Sequence, residues 1–94
     1  MANNKSLKEV LDFLGDSYSV QKIDGMPTVY RKLNDYYDIE IDGCQYKNTP
    51  YRVYVWDIRD GMDIKARLIE QSGPIDDLHE LKRVLDDYVR KYTV

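Results

Sequence analysis

Leu7, Val10, Leu11 and Leu14 recur at the spacing of one helix face and predict a first helix over Ser6–Leu14. Ser6 with Glu9 three residues on forms a capping box, and Gly15 stands at the C′ position that favours a left-handed backbone. At the other end Leu78, Leu81, Leu85, Tyr88 and Tyr92 line one face of a helix predicted over Ile75–Tyr92. Asp76 and Asp77 sit at the positive end of its dipole. Asp86 with Arg90, Asp87 with Lys91, Lys82 with Asp86 and Arg83 with Asp87 are i,i+4 pairs, so the far side of this helix reads as a solvated face.

Between the helices the period drops to two, and glycine punctuates the alternation. Asp24-Gly25, Asp42-Gly43 and Asp60-Gly61 recur every 18 residues, and Asp-Gly between alternating segments predicts a two-residue type I′ hairpin. Each turn fixes a register that the side chains must satisfy. About Asp60-Gly61, Val55 falls opposite Ala66 and Val53 opposite Leu68, while Trp56 meets Lys65 and Tyr54 meets Arg67. About Asp42-Gly43, Ile41 meets Cys44, Ile39 meets Tyr46, Glu40 meets Gln45 and Asp38 meets Lys47. A three-residue bend Asn34-Asp35-Tyr36 sets Val29 against Ile41, Leu33 against Tyr37 and Lys32 against Asp38. About Asp24-Gly25, Val20 meets Val29 but Ile23 and Met26 fall on the opposite face, which a bulge near Lys22 or a frayed edge would explain.

The predicted fold is therefore α+β: an N-terminal helix, an antiparallel β-meander of five or six strands with Asp-Gly hairpin turns, and a C-terminal helix, in one domain over residues 1–94. A sheet with one apolar face must cover it, and both helices are expected on that single face.

Composition narrows the function classes. The 94 residues carry 14 Lys and Arg against 17 Asp and Glu, a net charge of −3 that attracts neither nucleic acid nor acidic lipid. The N-terminal residues lack the apolar run of a signal peptide, and no apolar stretch is long enough for a membrane span. One cysteine excludes an internal disulfide, and a cytoplasmic location is expected.

On the sheet face away from the helices the alternation places Tyr30, Lys32, Asp38, Glu40, Arg52, Tyr54, Trp56, Lys65 and Arg67. The chain has nine tyrosines, one phenylalanine and one tryptophan, and tyrosine, tryptophan and arginine are the residues enriched at interfaces. The candidate partner-binding set is Arg52, Tyr54, Trp56, Lys65, Arg67 and Tyr30. The bland alternative is that Trp56–Lys65 and Tyr54–Arg67 are cross-strand pairs that stabilise a hairpin by about 0.2–1 kcal/mol each. Were the helices to cover this face instead, Trp56 would be core.

No catalytic set emerges. His79-Glu80 is not a zinc-protease motif, because Arg83 stands where the second histidine belongs, and Cys44 reads as a small buried hydrophobe. Asp38-Ile-Glu40-Ile-Asp42-Gly43 resembles the opening of a calcium loop, but Thr49 occupies the position of its essential glutamate. No cofactor or metal site is expected, and no enzymatic activity. The residues point to a small acidic protein-binding module, a regulator or inhibitor of a larger protein assembly, docking through the open sheet face. A homodimer through the same face is a second arrangement. A single-stranded nucleic-acid or nucleotide binder using Tyr54 and Trp56 is the alternative, disfavoured by the net charge.

Overall fold

Both apolar stripes form helices, and the alternating region between them forms one sheet. The computed structural model describes residues 7–23, 25–45, 48–61 and 65–93. The elements are α1 (Leu7–Leu14), β1 (Ser19–Ile23), β2 (Met26–Lys32), β3 (Tyr37–Asp42), β4 (Arg52–Asp57), β5 (Arg67–Gln71) and α2 (Leu78–Tyr92). The strands lie in sequence order, β1-β2-β3-β4-β5, and every pairing is antiparallel. This is the predicted α+β meander between two helices, with five strands.

Helix α1 ends as expected: Gly15 takes φ 97° and its N–H donates to the Leu11 carbonyl at 2.8 Å. Ser6, half of the predicted capping box, lies outside the described residues. Helix α2 starts later than the sequence predicts. Ile75 exchanges two backbone hydrogen bonds with Tyr51, at 2.7 and 2.9 Å, which commits it to an extended bridge. Asp77 then caps the helix, its carboxylate accepting from the Glu80 N–H at 2.8 Å. Of the expected helix pairs, Lys82–Asp86 and Arg83–Asp87 form at 3.2 and 3.1 Å. Arg90 instead pairs with Asp87, and Lys91 leaves the helix to reach Glu70 of β5 at 2.8 Å.

β1 and β2 pair in the predicted register, with Ile23 opposite Met26 and Val20 opposite Val29, and no bulge interrupts it; Asp24 of the predicted turn lies outside the described residues. The bend at Asn34 likewise sets Val29 against Ile41 and Lys32 against Asp38. The Asn34 side chain shapes it by accepting from the N–H groups of Tyr36 and Tyr37 at 2.9 and 3.0 Å.

The other two Asp-Gly pairs do not make two-residue hairpins. β3 pairs with β4, placing Ile39 opposite Val55, Ile41 opposite Val53 and Asp38 opposite Trp56. Gly43 bends the chain away at φ 84°, and the connection runs to Tyr51 before β4 begins. Val53 and Val55 are fully buried, so this register fills the core with β-branched side chains. Tyr46 and Lys47, the predicted partners of Ile39 and Asp38, lie outside the described residues.

After β4 the chain turns at Ile58, whose N–H donates to the Tyr36 carbonyl at 2.8 Å and whose carbonyl accepts from Gly61 at 3.1 Å. β5 then pairs Trp56 with Leu68 and Asp57 with Arg67, and a bulge between Val55 and Trp56 shifts the rest. Relative to the predicted turn the slip is odd at Arg67 and Leu68, so these two exchange faces, whereas beyond the bulge it is even and Glu70 and Gln71 keep theirs.

One face of the sheet supplies Val29, Ile39, Ile41, Val53 and Val55, all essentially without exposure, to a core completed by Val10 and Leu14 of α1 and Leu81 and Leu85 of α2. Each such aliphatic side chain contributes about 1.5–3 kcal/mol through burial. Phe13 meets His79 edge-on at 5.2 Å, joining the two helices. Both helices therefore lie on one face, and the opposite face carries neither.

Candidate functional site

The helix-free face is a grid fixed by strand alternation and register. One row runs Lys32–Asp38–Trp56–Leu68, and the next runs Ser19–Tyr30–Glu40–Tyr54–Gln71, with Asp42 and Arg52 paired beyond it. The middle strand, β3, thus contributes only carboxylates, with aromatic residues on the strands to either side.

Four of the six predicted binding residues share this face: Tyr30, Arg52, Tyr54 and Trp56, each half-buried. Lys65 and Arg67 do not. Lys65 precedes β5, and its stem lies against Gly61. Arg67 faces Asp57 on the helix-bearing side, its guanidinium 3.3 Å from that carboxylate. The slip in β5 is the reason, since it turns Arg67 inward and Leu68 outward.

Asp57 is 3 % exposed and accepts from the Arg59 N–H at 3.0 Å and from the Arg59 guanidinium at 2.5 Å. These bonds hold its carboxyl well below the usual range. Arg59 in turn lies over the rings of Tyr36 and Tyr37 at 5.6 and 5.9 Å. This ion cluster stabilises the end of β4 on the core side, remote from the aromatic grid.

What replaces the two lost cations is apolar. Ile23 and Met26, which parity alone already set on this face, form one rim of a groove, and Leu68 forms the opposite rim. Glu40, Asp42, Tyr54 and Trp56 line it between them, and the cavity measures about 420 Å³. Met26 and Leu68 are 49 % and 44 % exposed. A groove of this size, apolar with a few convergent polar groups, is the usual form of a recognition site.

The grid also holds an unusual concentration of unsatisfied polar atoms. Among the described residues, the buried side-chain atoms lacking a hydrogen-bond partner are Tyr30 Oη, Asp38 Oδ1 and Trp56 Nε1, all on this face. A buried polar atom without a partner costs about 1–3 kcal/mol. Burial pushes the Asp38 carboxyl above its ordinary value, against the opposing pull of the Tyr30 hydroxyl and the Lys32 ammonium. Burial also raises the Tyr30 phenol, reinforced by Asp38 beside it.

The chain matches no protein-family model, no curated protein and no solved structure. Its chemistry is therefore read from its own residues. His79 is exposed on α2 against Phe13, and Cys44 is buried in the core, so neither lies in the groove. Among the described residues no group of three or more His, Cys, Asp or Glu is placed to hold a metal ion. Among the same residues no helix is long and apolar enough to cross a membrane.

Proposed function

We propose that this protein is a small non-catalytic binding module of the cytoplasm that docks on a larger protein through its helix-free sheet face, acting as a regulator or inhibitor of that partner. The observation that carries this reading is the groove itself. Tyr54 and Trp56 stand in it between exposed apolar rims, on a face that neither helix needs for its own packing. Rigid aromatic side chains beside exposed aliphatic ones are the usual anchors of protein interfaces.

Single-stranded nucleic acid is the weaker reading. Lys65 and Arg67 stand away from the aromatic residues, and the central strand offers phosphates only carboxylates. A homodimer through this face would lay the same carboxylate row against its own copy, an arrangement of like charges.

The test is a tagged pull-down from the source cell, with wild type beside a folded Tyr54→Ala/Trp56→Ala double variant. A stoichiometric partner captured by the wild type alone is the expected result. Equal capture by both proteins would move the docking surface to the helices or the turns. A concentration-dependent mass, abolished by the double variant, would replace the heterologous partner with a second copy.

A further inference from the structure

Away from the groove, four tyrosines form a chain where the Asn34 bend meets the last turn of α2. Tyr36 meets Tyr37 edge-on with ring centres 6.3 Å apart, Tyr37 meets Tyr92 at 5.0 Å, and Tyr92 meets Tyr88 at 6.5 Å. Asn34 ties bend and helix together, its side-chain amide donating to the Tyr92 carbonyl at 2.9 Å. The two ends of the chain differ. Tyr36 is 54 % exposed, and the Arg59 guanidinium lies over its ring and over that of Tyr37. Tyr92 is half-buried, and its hydroxyl donates to Oε1 of Glu70. Hydrogen bonds from Lys91 and Tyr92 hold the Glu70 carboxyl below its ordinary value, so it stands there ionised.

We infer that Tyr92 is a redox-active tyrosine, the resting site of a one-electron oxidation that enters the protein at Tyr36. A one-electron oxidant, such as a diffusing radical, takes the electron from the exposed phenol of Tyr36, and water takes its proton. An electron then passes from Tyr92 through Tyr37 to Tyr36, which recovers a proton from water, while Tyr92 gives its own proton to Glu70. The net step converts the Tyr92 phenol, the Glu70 carboxylate and the oxidant into a neutral phenoxyl radical, a carboxylic acid and the reduced oxidant. Electrostatics sets the direction. The Arg59 cation over Tyr36 and Tyr37 opposes a positive hole on either ring. Tyr92 instead has a base within hydrogen-bond reach of its phenol. A phenol that has lost an electron is a strong acid, so a carboxylate suffices to take its proton. Lys91 lies over the Tyr92 ring at 5.3 Å, but it is paired with the same Glu70 at 2.8 Å, so the two charges offset.

The test is photo-oxidation of the full chain by ruthenium tris-bipyridine with an irreversible cobalt acceptor. A Trp56→Phe background keeps the indole from competing for the oxidation. A nitrosoalkane spin trap marks the radicals, and peptide mass spectrometry locates the adducts. Exposure alone would place the adduct on Tyr36. The relay places it on Tyr92, and Tyr37→Phe should return it to Tyr36. Glu70→Gln keeps a hydrogen-bond acceptor but no base, and should lower the Tyr92 radical at least about tenfold, the factor for losing one charge-assisted contact. Lys91→Gln breaks the same ion pair but leaves the base, and Tyr92 should remain the main site.

Electron paramagnetic resonance of samples frozen before trapping reads the radical without any need for access to the ring. The expected result is one dominant phenoxyl spectrum, lost in Tyr92→Phe. An adduct confined to Tyr36 together with a spectrum that survives Tyr92→Phe would overturn the inference. So would a Tyr92 radical of the same yield in Glu70→Gln. Far-UV circular dichroism checks the fold of each variant, and the choice between Tyr36 and Tyr92 in the adduct map needs no substitution within the chain of rings.

Discussion

Gly25 and Gly43 each follow an aspartate and adopt nearly the same backbone angle, φ 79° and 84°, yet alanine at the two positions should have very different effects. A side chain in the left-handed region costs about 1–2 kcal/mol at either site. At Gly25 nothing lies within 4 Å of the added Cβ, so that strain is the whole effect. At Gly43 the Cβ would fall 2.1 Å from the Pro50 carbonyl oxygen and 2.9 Å from its carbon, both main-chain atoms. The 43–51 connection must therefore move, and with it the paired hydrogen bonds between Tyr51 and Ile75, at 2.7 and 2.9 Å. Two such bonds contribute about 1 kcal/mol each, so Gly43→Ala should cost about 2 kcal/mol more than Gly25→Ala. In a domain of this size that difference corresponds to roughly 8–16 °C in Tm, read by far-UV circular dichroism on heating. Equal melting temperatures, within about 3 °C, would refute the close approach of Pro50 to Gly43 and the bend built on it.

Leu81, fully buried beneath α2, should lose about 2–5 kcal/mol on truncation to alanine, whereas Leu68→Ala on the groove rim should cost under about 1 kcal/mol; urea titration compares them. Asp38→Asn should stabilise the protein at neutral pH. Burial raises the folded-state pKa of Asp38, so wild-type stability from this group grows as pH falls through that value and the advantage of the variant closes toward acid. A gap that widens in acid would show that Asp38 is satisfied as a carboxylate. Asp57 behaves oppositely. Arg59 and Arg67 depress its pKa, so its stabilisation is complete above the ordinary aspartate value of about 4 and is lost as pH falls below it. Arg59→Gln should flatten that acid limb in melts taken across the same range.

Much of this architecture was legible in the residues. Helical stripes, the Asp24-Gly25 turn and the Asn34 bend depend on local chemistry, and local chemistry is what the sequence displays. The failures at Asp42-Gly43 and Asp60-Gly61 share a cause. Asp-Gly specifies a positive φ, but it does not say whether the next strand follows at once. At Gly43 the burial of Val53 and Val55 outweighs immediate pairing with the segment beginning at Cys44. At Gly61 the seat of Ile58 and the clamp of Arg59 on Asp57 lengthen the turn. An odd slip there exchanged the faces of Arg67 and Leu68, so a face expected to be flanked by three cations is flanked by aliphatic rims around a carboxylate row. Trp56 and Tyr54 kept their place because β4 needs Val53 and Val55 inside. The rim was also visible in advance: Ile23 and Met26 pointed outward by parity, and no bulge was needed.

The strict sequence order of the strands bears on how the chain is made. Every strand pairs with the one just synthesised, so each loop closure is short and the sheet can assemble progressively. Its core side, however, is sealed by Leu81 and Leu85, which leave the ribosome after all five strands. Until α2 emerges, Val29, Ile39, Ile41, Val53 and Val55 have only the two-turn α1 above them. A nascent chain paused in that interval presents a half-covered apolar sheet with open edges, the species most prone to aggregate and most in need of a chaperone.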